Sequence, residues 1–295
     1  MTVHLSSGLP ALGVLTAEGL AVSAGDRAPA GFCRIGLLNL MPDKITTETQ
    51  FARLLALCGR DCELVLMRPS GHRCRHAPEG HLAAFYRTWA DIVPDGLDGL
   101  IVTGAPVETL AFEEVDYWRE LTGILDWAAA NALPSMHVCW AGQAALHHYH
   151  GVGKHGLPQK QFGVYEQSVL AERHRLLVGM PERFPVPVSR HTDVCAADLA
   201  RARGLAVLVA SPESGLCMVE DRRRRALCVF NHFEYDAGTL GREYERDIAA
   251  GRPVRPPVNC DLDGAGRTAP NPAWRGVAAR LFANWIAGVG ALAPC

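Results

Sequence analysis

The chain has 295 residues, enough for one large α/β domain or two smaller ones, and its 48% hydrophobic and 20% charged residues are typical of a globular protein with a sizeable core. A net charge of −2 gives no electrostatic basis for binding nucleic acid or an anionic membrane, and no segment has the roughly 20 uninterrupted apolar residues of a membrane span. The ten cysteines form no CxxC pair and no zinc spacing, and no signal peptide is evident, so we expect reduced thiols in the cytoplasm and no metal site.

Short apolar runs alternate with helical patterns along the first half of the chain. Residues 1–32 are rich in glycine, alanine and proline with weak periodicity, so we predict an extended lead-in. Buried strands are predicted at 35–40, 63–67, 99–103 and 136–138, helices at 46–57, 79–89 and 117–131, and a polar loop at 69–78. This alternation predicts an α/β fold with a mostly parallel, doubly wound sheet flanked by helices.

The second half has shorter strand patterns and predicts a smaller, strand-rich region. The predicted strands are 162–165, 186–189, 206–209, 216–219 and 226–230, followed by a helix at 238–250, a loop at 252–272 and a helix at 274–286. The basic run from Asp221 to Arg225 lies between the last two strands. A solvated hairpin turn explains this run better than a nucleic-acid patch does, given the overall charge.

Cys139 lies where a short apolar run gives way to a helical pattern of small residues, which indicates a strand, a tight elbow and a helix. A side chain at such an elbow projects from the C-terminal end of the strand, beside the free N–H groups of the helix. Those donors and the helix dipole favour thiolate over thiol. A buried structural cysteine is the alternative, but its position makes Cys139 a candidate nucleophile.

A cysteine nucleophile needs a base, and the base needs a group that orients it. His232 and Glu234 follow an apolar run and are two residues apart, so both side chains point the same way in an extended chain. Glu234 could then hold the imidazole while His232 faces Cys139. The alternative is a surface loop with incidental polar residues.

Weaker signals accompany this pair. Gly104 and Ala105 follow a buried strand and could supply an oxyanion donor beside the N–H of Trp140, although such a tripeptide is more often a simple turn. Glu108 could reach the same cleft or be solvated. The histidines at 147–150 are predicted to be an exposed helix end and not a metal site, since no carboxylate accompanies them in sequence. No nucleotide-phosphate loop is present.

Taken together, these stretches resemble the homoserine O-acyltransferase family, which includes O-succinyl- and O-acetyltransferases. The matching segments are IGLLNLMPDKITTETQFARLL, DGLIVTGAPVETLAFEEVDYW, HVCWAGQAAL, FGVYE, SRHTD, NHFEYD and WRGVAARLFANWI. They occur in the family's order from about residue 34 to residue 286. The resemblance implies a fold similar to class I glutamine amidotransferases, with one catalytic domain at 33–287 and a tail at 288–295.

The resemblance also implies roles for individual residues. Cys139 becomes the acyl-thioester nucleophile, His232 the general base and Glu234 its catalytic companion. Lys160 matches a substrate-binding lysine, Ser189 a position tied to substrate choice, and Arg246 the arginine that holds the amino-acid carboxylate. These positions imply L-homoserine as the acceptor, with an acyl-CoA as a co-substrate and no bound cofactor.

Glu108 stands where, in this family, glycine accompanies succinyl-CoA and glutamate accompanies acetyl-CoA. A buried carboxylate would repel and crowd the terminal carboxylate of a succinyl group, so the resemblance implies acetyl-CoA. Residues 258–272, those past 286, and Phe233, where some relatives have proline, depart from the family pattern. These departures put loop and oligomer contacts in question more than the chemistry.

Several alternatives stay open from the sequence. The same enzyme could use succinyl-CoA or accept serine, and the same Cys/His/Glu set would serve a glutaminase or thioesterase if water reached the acyl-enzyme. A catalytically silent binding protein is a further alternative, but it would have no need of all three groups. The oligomeric state is not encoded in any pattern we identify, and a homodimer is a candidate assembly.

Overall fold

A computed structural model describes residues 1–71, 78–260 and 272–289. Within these ranges the strands are β1 (Val3–Leu5), β2 (Val22–Ala24), β3 (Cys33–Leu38), β4 (Cys62–Met67), β5 (Gly99–Val102), β6 (Ser135–Val138), β7 (Lys154–Val169), β8 (Arg183–Val194), β9 (Leu205–Ser211), β10 (Gly215–Asp221) and β11 (Ala226–Val229). The helices are α1 (Pro10–Ala17), α2 (Lys44–Ala56), α3 (Glu79–Phe85), α4 (Trp89–Ile92), α5 (Trp118–Ala130), α6 (Trp140–His150), α7 (Ala196–Arg201), α8 (Thr239–Ala249) and α9 (Arg275–Gly288). None of the helices in the described part of the chain is long and apolar enough to cross a bilayer.

The strands form a single sheet in the order β2-β1-β4-β3-β5-β6-β11-β10-β9-β7-β8. From β2 to β11 the neighbouring strands are parallel, and from β11 to β8 they are antiparallel. We call these two parts the parallel half and the antiparallel half. The predicted fold class, a mostly parallel sheet with a strand-rich second half, is confirmed.

Alternating side chains in the parallel half supply two cores, one on each face of the sheet. In β3, Ile35 and Leu37 pack into one core while Leu38 packs into the other, as the period of two in a strand requires. Helices α1, α2 and α9 cover the first core, and α5 and α6 cover the second. The carboxyl ends of the parallel strands therefore open at one edge between these helices, where α/β folds place their sites.

The prediction of an extended lead-in over residues 1–32 is wrong. The segment forms β1, α1 and β2, which extend the parallel half as its edge. The strands have only three residues each and were too short to show a period. Val3 pairs with both Val22 and Cys62, so partners far along the chain create the strand.

The other differences from the predicted elements also come from tertiary contacts. The helix predicted at 79–89 ends at Phe85, because Arg87 joins the end of β4 through its N–H, which donates to Leu66 O at 3.1 Å. Strands β7 and β8 are longer than predicted, because one side of this hairpin is only partly covered and carries polar residues. The turn at Arg222–Arg225 between β10 and β11 is confirmed. Residues 72–77, 261–271 and 290–295 of the predicted loops and tail lie outside the described residues.

Candidate active site

Cys139 occupies the bend between β6 and α6 with φ 51° and ψ −118°, a conformation that a residue with a Cβ rarely adopts. The bend is held from both sides. The Cys139 N–H donates to Val229 O at 2.7 Å, and Cys139 O accepts from the N–H groups of Gly142 at 3.0 Å and Gln143 at 3.3 Å. A strained backbone that neighbouring bonds hold in place is typical of functional sites, and it confirms the predicted elbow.

Gly104 brings the chain after β5 against this elbow. A Cβ atom at this position would lie 3.2 Å from Cys139 Cβ and 3.8 Å from its Sγ, so only glycine permits the approach without displacement. The Thr103 hydroxyl accepts from the Leu40 N–H at 2.7 Å and donates to Gly104 O at 3.0 Å, which fixes the turn. Trp140 is the first residue of α6, so its N–H has no acceptor within the helix.

His232 follows β11, the strand that pairs in parallel with β6 and places Val229 opposite Val138. Its side chain is buried, and its Nδ1 lies 2.7 Å from Glu234 Oε1. Burial alone would lower the pKa of His232, but the charges of Glu234 and Cys139, with hydrogen bonds to both, raise it well above its usual value. These contacts bring together the side chains of Cys139, His232 and Glu234 and favour the imidazolium form of His232.

A cleft of about 310 Å³ opens beside Cys139 and His232. All of the site residues expected from the sequence line it except Glu234, which contacts the lining residue His232, and Trp140, which follows Cys139 in the chain. Seven further residues line the cleft and were not predicted as site residues: Met41, Pro106, Thr109, His191, Tyr235, Glu243 and Arg252.

A cluster of charged groups fills the side of the cleft formed by β7, β8 and α8. Glu243 Oε2 accepts a hydrogen bond from Ser189 Oγ at 2.6 Å and lies 3.5 Å from Lys160 Nζ. Lys160 Nζ also donates to Asp247 Oδ2 at 2.9 Å. Glu243, Arg246 and Asp247 are three and four residues apart, so the helical period places them on one face. That spacing was the signal in the sequence that could have identified Glu243.

Arg246 stands at the exposed end of this cluster. Its Nη2 donates to Asp247 Oδ1 at 2.9 Å, and 56% of its side chain is exposed. Burial raises the pKa of Asp247, but the hydrogen bonds and charges of Lys160 and Arg246 lower it by more, so the carboxylate stays ionised. Because more than half of the Arg246 side chain is exposed, its guanidinium can also donate hydrogen bonds to an anion that enters the cleft.

Glu108 lines the cleft but is only partly buried, which corrects the expectation of a buried carboxylate. Its Oε2 accepts from the backbone N–H of His191 at 2.8 Å and from both the N–H and the hydroxyl of Thr192 at 3.2 Å. Lys154 Nζ donates to the Glu108 carbonyl oxygen at 2.5 Å. These contacts fix a negative charge at one end of the cleft, next to β8.

The histidines at the end of α6 pair with carboxylates that come from other parts of the chain, which the sequence alone did not indicate. The pairs are His147–Glu113 at 2.9 Å, His148–Asp126 at 2.7 Å and His150–Asp221 at 2.8 Å. Each carboxylate belongs to a different segment, so the histidines do not converge. Across the described ranges, no group of three or more histidine, cysteine or acidic side chains could hold a metal ion.

Comparisons with known proteins agree with this geometry. The sequence profile of the homoserine O-succinyltransferase family matches residues 2–291. A homoserine O-acetyltransferase of Allorhizobium ampelinum is 44% identical over 97% of this chain and 94% of its own, and one of Brucella canis is 43% identical over the same shares.

Two solved structures share the fold. A glutamine amidotransferase from Thermotoga maritima superposes with a TM-score of 0.60 at 11% identity, covering 88% of this chain and 99% of its own. A glutamine amidotransferase from Methylobacillus flagellatus gives a TM-score of 0.56 at 13% identity, covering 87% and 94%. These structures support the predicted amidotransferase-like architecture, and the profile and the relatives show that the chain belongs to the homoserine O-succinyltransferase family.

Proposed function

We propose that this protein is a homoserine O-acetyltransferase, which transfers an acetyl group from acetyl-CoA to the γ-hydroxyl of L-homoserine through an acetyl-Cys139 intermediate. The observation that carries the proposal is the cleft itself. It brings together Cys139 at a strained elbow, an imidazole paired with Glu234, and a charged cluster suited to an amino acid.

In the first half-reaction, the Cys139 thiolate attacks the thioester carbon of acetyl-CoA. The N–H groups of Trp140 and of the turn at Gly104 and Ala105 then receive the oxyanion; the close approach of Gly104 to Cys139 and the position of Trp140 at the start of α6 support this role. The C–S bond to coenzyme A then breaks, and the leaving thiolate takes the proton from the His232 imidazolium. One thioester replaces another, so this step is close to thermoneutral.

In the second half-reaction, neutral His232 accepts the proton of the homoserine γ-hydroxyl as that oxygen attacks acetyl-Cys139. Collapse of the tetrahedral intermediate expels the Cys139 thiolate and restores its pair with the imidazolium. Glu234 holds the imidazole through Nδ1 at 2.7 Å, leaving Nε2 for the proton transfers. General-base action of this kind contributes about 10²–10⁴-fold in rate.

The acceptor fits the charged cluster by complementarity. Arg246 has free donors for the homoserine carboxylate, and Glu243 offers a carboxylate for its ammonium group. Lys160 and Ser189 hold Glu243 and Asp247 in place, so the two ends of an amino acid meet opposite charges on a fixed surface.

The donor assignment rests on Glu108. Its carboxylate is anchored to the backbone of β8 and presents a fixed negative charge to the acyl end of the cleft. A succinyl group would bring a second carboxylate against it, whereas an acetyl group ends in a methyl. Acetyl-CoA acts as a co-substrate, and the mechanism uses no resident cofactor.

The product, O-acetyl-L-homoserine, is an activated precursor for methionine synthesis. We place this step in the cytoplasm, where coenzyme A thioesters and reduced thiols coexist. The eight cysteines in the described ranges are all free thiols, which suits a reducing compartment.

The test is a competition experiment in which the purified protein receives homoserine with acetyl-CoA and succinyl-CoA at equal concentrations. We expect O-acetylhomoserine as the main product by mass spectrometry. A mainly succinylated product would contradict the role of Glu108, and continuous release of coenzyme A without acylated homoserine would indicate a hydrolase.

A further inference from the structure

Tyr235 touches both halves of the catalytic machinery. The chain after β11 turns at His232, and the N–H of Tyr235 lies 3.4 Å from His232 O, so the two side chains face the same side. Phe233 points away into the core, where its ring lies 6.2 Å from that of Phe184. The turn therefore delivers His232 and Tyr235 together to the cleft.

The Tyr235 ring covers one face of the catalytic imidazole. The two ring centroids are 4.1 Å apart and the planes differ by 19°, with both side chains buried. The bond from His232 Nδ1 to Glu234 fixes one atom of the imidazole but leaves the ring free to rotate about that bond. A parallel ring against its face removes this freedom, so the plane of the imidazole and the direction of Nε2 are both set.

The hydroxyl of the same residue reaches the opposite side of the cleft. Tyr235 Oη donates to Glu243 Oε1 at 2.5 Å, while Glu243 Oε2 accepts from Ser189. Burial, and then the negative charges of Glu243 and Glu234, raise the pKa of Tyr235 well above its usual value, so the phenol stays protonated and donates. Both oxygens of Glu243 are thus oriented by neighbouring hydroxyls.

We propose that Tyr235 is a positioning residue with two separable roles: its ring fixes the plane of His232, and its hydroxyl fixes Glu243 as the acceptor-binding carboxylate. This inference rests on the proposed acyl transfer. The ring serves both half-reactions, because His232 acts in each. The hydroxyl serves only the second, because Glu243 does not touch the acyl donor.

Two substitutions separate these roles. Tyr235→Phe keeps the ring and removes the hydroxyl, whereas Tyr235→Leu removes the ring as well. Tyr149→Phe is the matched control. The Tyr149 hydroxyl donates to Leu125 O at 2.6 Å near the C-terminal end of α6, so this substitution also removes a hydrogen-bonded hydroxyl, but away from the cleft.

The first measurement is the stopped-flow release of one equivalent of coenzyme A from acetyl-CoA without acceptor. We expect Tyr235→Phe to change this rate by about twofold at most and Tyr235→Leu to lower it by about tenfold or more. In steady state with homoserine, Tyr235→Phe is expected to raise the KM for homoserine by about tenfold. An equal loss of the first half-reaction in both variants would overturn the division of roles.

The second measurement needs no substrate. The rate at which iodoacetamide alkylates Cys139 is followed against pH, because a misaligned imidazolium stabilises the thiolate less. We expect the acid limb of this profile to move to higher pH in Tyr235→Leu and to stay in place in Tyr235→Phe and Tyr149→Phe. An unshifted profile in folded Tyr235→Leu would overturn the positioning role of the ring.

These readouts also separate this inference from the proposed function. If the unaltered protein fails to release coenzyme A or to acylate homoserine, the proposed function is wrong, but the alkylation profiles still test the contact between Tyr235 and His232. If Tyr235→Leu does not fold, as judged by circular dichroism, Tyr235→Phe and the homoserine KM still decide the role of the hydroxyl.

Discussion

The parallel and antiparallel halves of the sheet contribute different parts of the cleft. Cys139 and His232 follow β6 and β11, adjacent parallel strands whose carboxyl ends meet at one edge. Lys160 and Ser189 lie within β7 and β8, two long antiparallel strands. The groups that we propose to react thus stand at the ends of short buried strands, and Lys160 and Ser189, proposed to serve acceptor binding, lie on a hairpin.

Two buried cysteines show how position in the sheet determines the surroundings of a thiol. Cys228 lies within β11, where burial and then the charge of Asp221 raise the pKa of its thiol. Cys139 lies one residue beyond the end of β6, where the free N–H groups of a helix and the His232 imidazole reach it. The two buried cysteines therefore have different surroundings, and of the two only Cys139 stands at the open edge of the sheet.

The largest effect is expected from removing the nucleophile in the parallel half. Cys139→Ala should lower acetyl transfer by about 10⁴-fold or more, since no other group on the cleft wall can form the thioester. Cys195→Ala, at a partly exposed thiol near His155, is the control and should retain activity. Substantial turnover in Cys139→Ala, measured as product formed from acetyl-CoA and homoserine, would contradict a covalent mechanism.

The second-largest effect is expected from replacing Glu234, whose carboxylate contacts His232 Nδ1. Glu234→Gln removes the charge that raises the pKa of His232, so the imidazolium and the thiolate beside it both become less favourable. The first half-reaction should slow by about 10²-fold. Because this step needs the His232 imidazolium, the basic limb of its pH profile should move to lower pH. A basic limb that keeps its position, or moves to higher pH, would show that Glu234 does not set the charge of His232.

Changes in the antiparallel half should act on the acceptor alone. Arg246→Gln should raise the KM for homoserine by about tenfold or more while the release of coenzyme A in the absence of acceptor is preserved. Arg242→Gln, one helical turn earlier and exposed, is the matched control. If Arg246→Gln slowed coenzyme A release as strongly as it weakened homoserine binding, the division between the two halves would fail.

The smallest effect is expected where the two halves meet. Glu108 follows β5, and its carboxylate accepts hydrogen bonds from backbone N–H groups of β8. Glu108→Gly therefore removes this carboxylate and the hydrogen bonds that link the two halves of the sheet. We expect the ratio of kcat/KM for acetyl-CoA to that for succinyl-CoA to fall by about tenfold. Glu113→Gly, at an exposed glutamate that contacts His147, is a control for nearby charge loss. An unchanged ratio would assign donor choice to other residues.

Local pattern in the sequence predicted β3, β4, β5, β6 and β11 of the parallel half and identified Cys139 and His232 as candidate residues. Each buried strand there is a short apolar run, and Cys139 stands where an apolar run changes to a helical one. The sequence analysis inferred the approach of His232 to Cys139 from their positions at strand ends, and the pairing of Val229 with Val138 places those two strand ends side by side.

The antiparallel half was less predictable. Lys160 lies at a register irregularity between Gly156 and Gln161, and no local pattern marks such a position. Lys160, Ser189 and Arg246 were identified only through the family resemblance. Tyr235 was missed because its contact with Glu243 joins α8 to the turn after β11, and no single segment encodes that contact. Glu243 was missed although its helical spacing from Arg246 and Asp247 could have identified it. The first 24 residues were missed because three-residue strands take their stability from distant partners.

The intact mass of the protein after incubation with acetyl-CoA alone is the most direct test of an acetyl-Cys139 intermediate. We predict one acetyl group per chain, located on Cys139 by peptide mapping, and its complete loss on adding homoserine with formation of O-acetylhomoserine. A chain that stays unmodified while turning over substrate, or an acetyl group that homoserine does not remove, would contradict acyl transfer through Cys139.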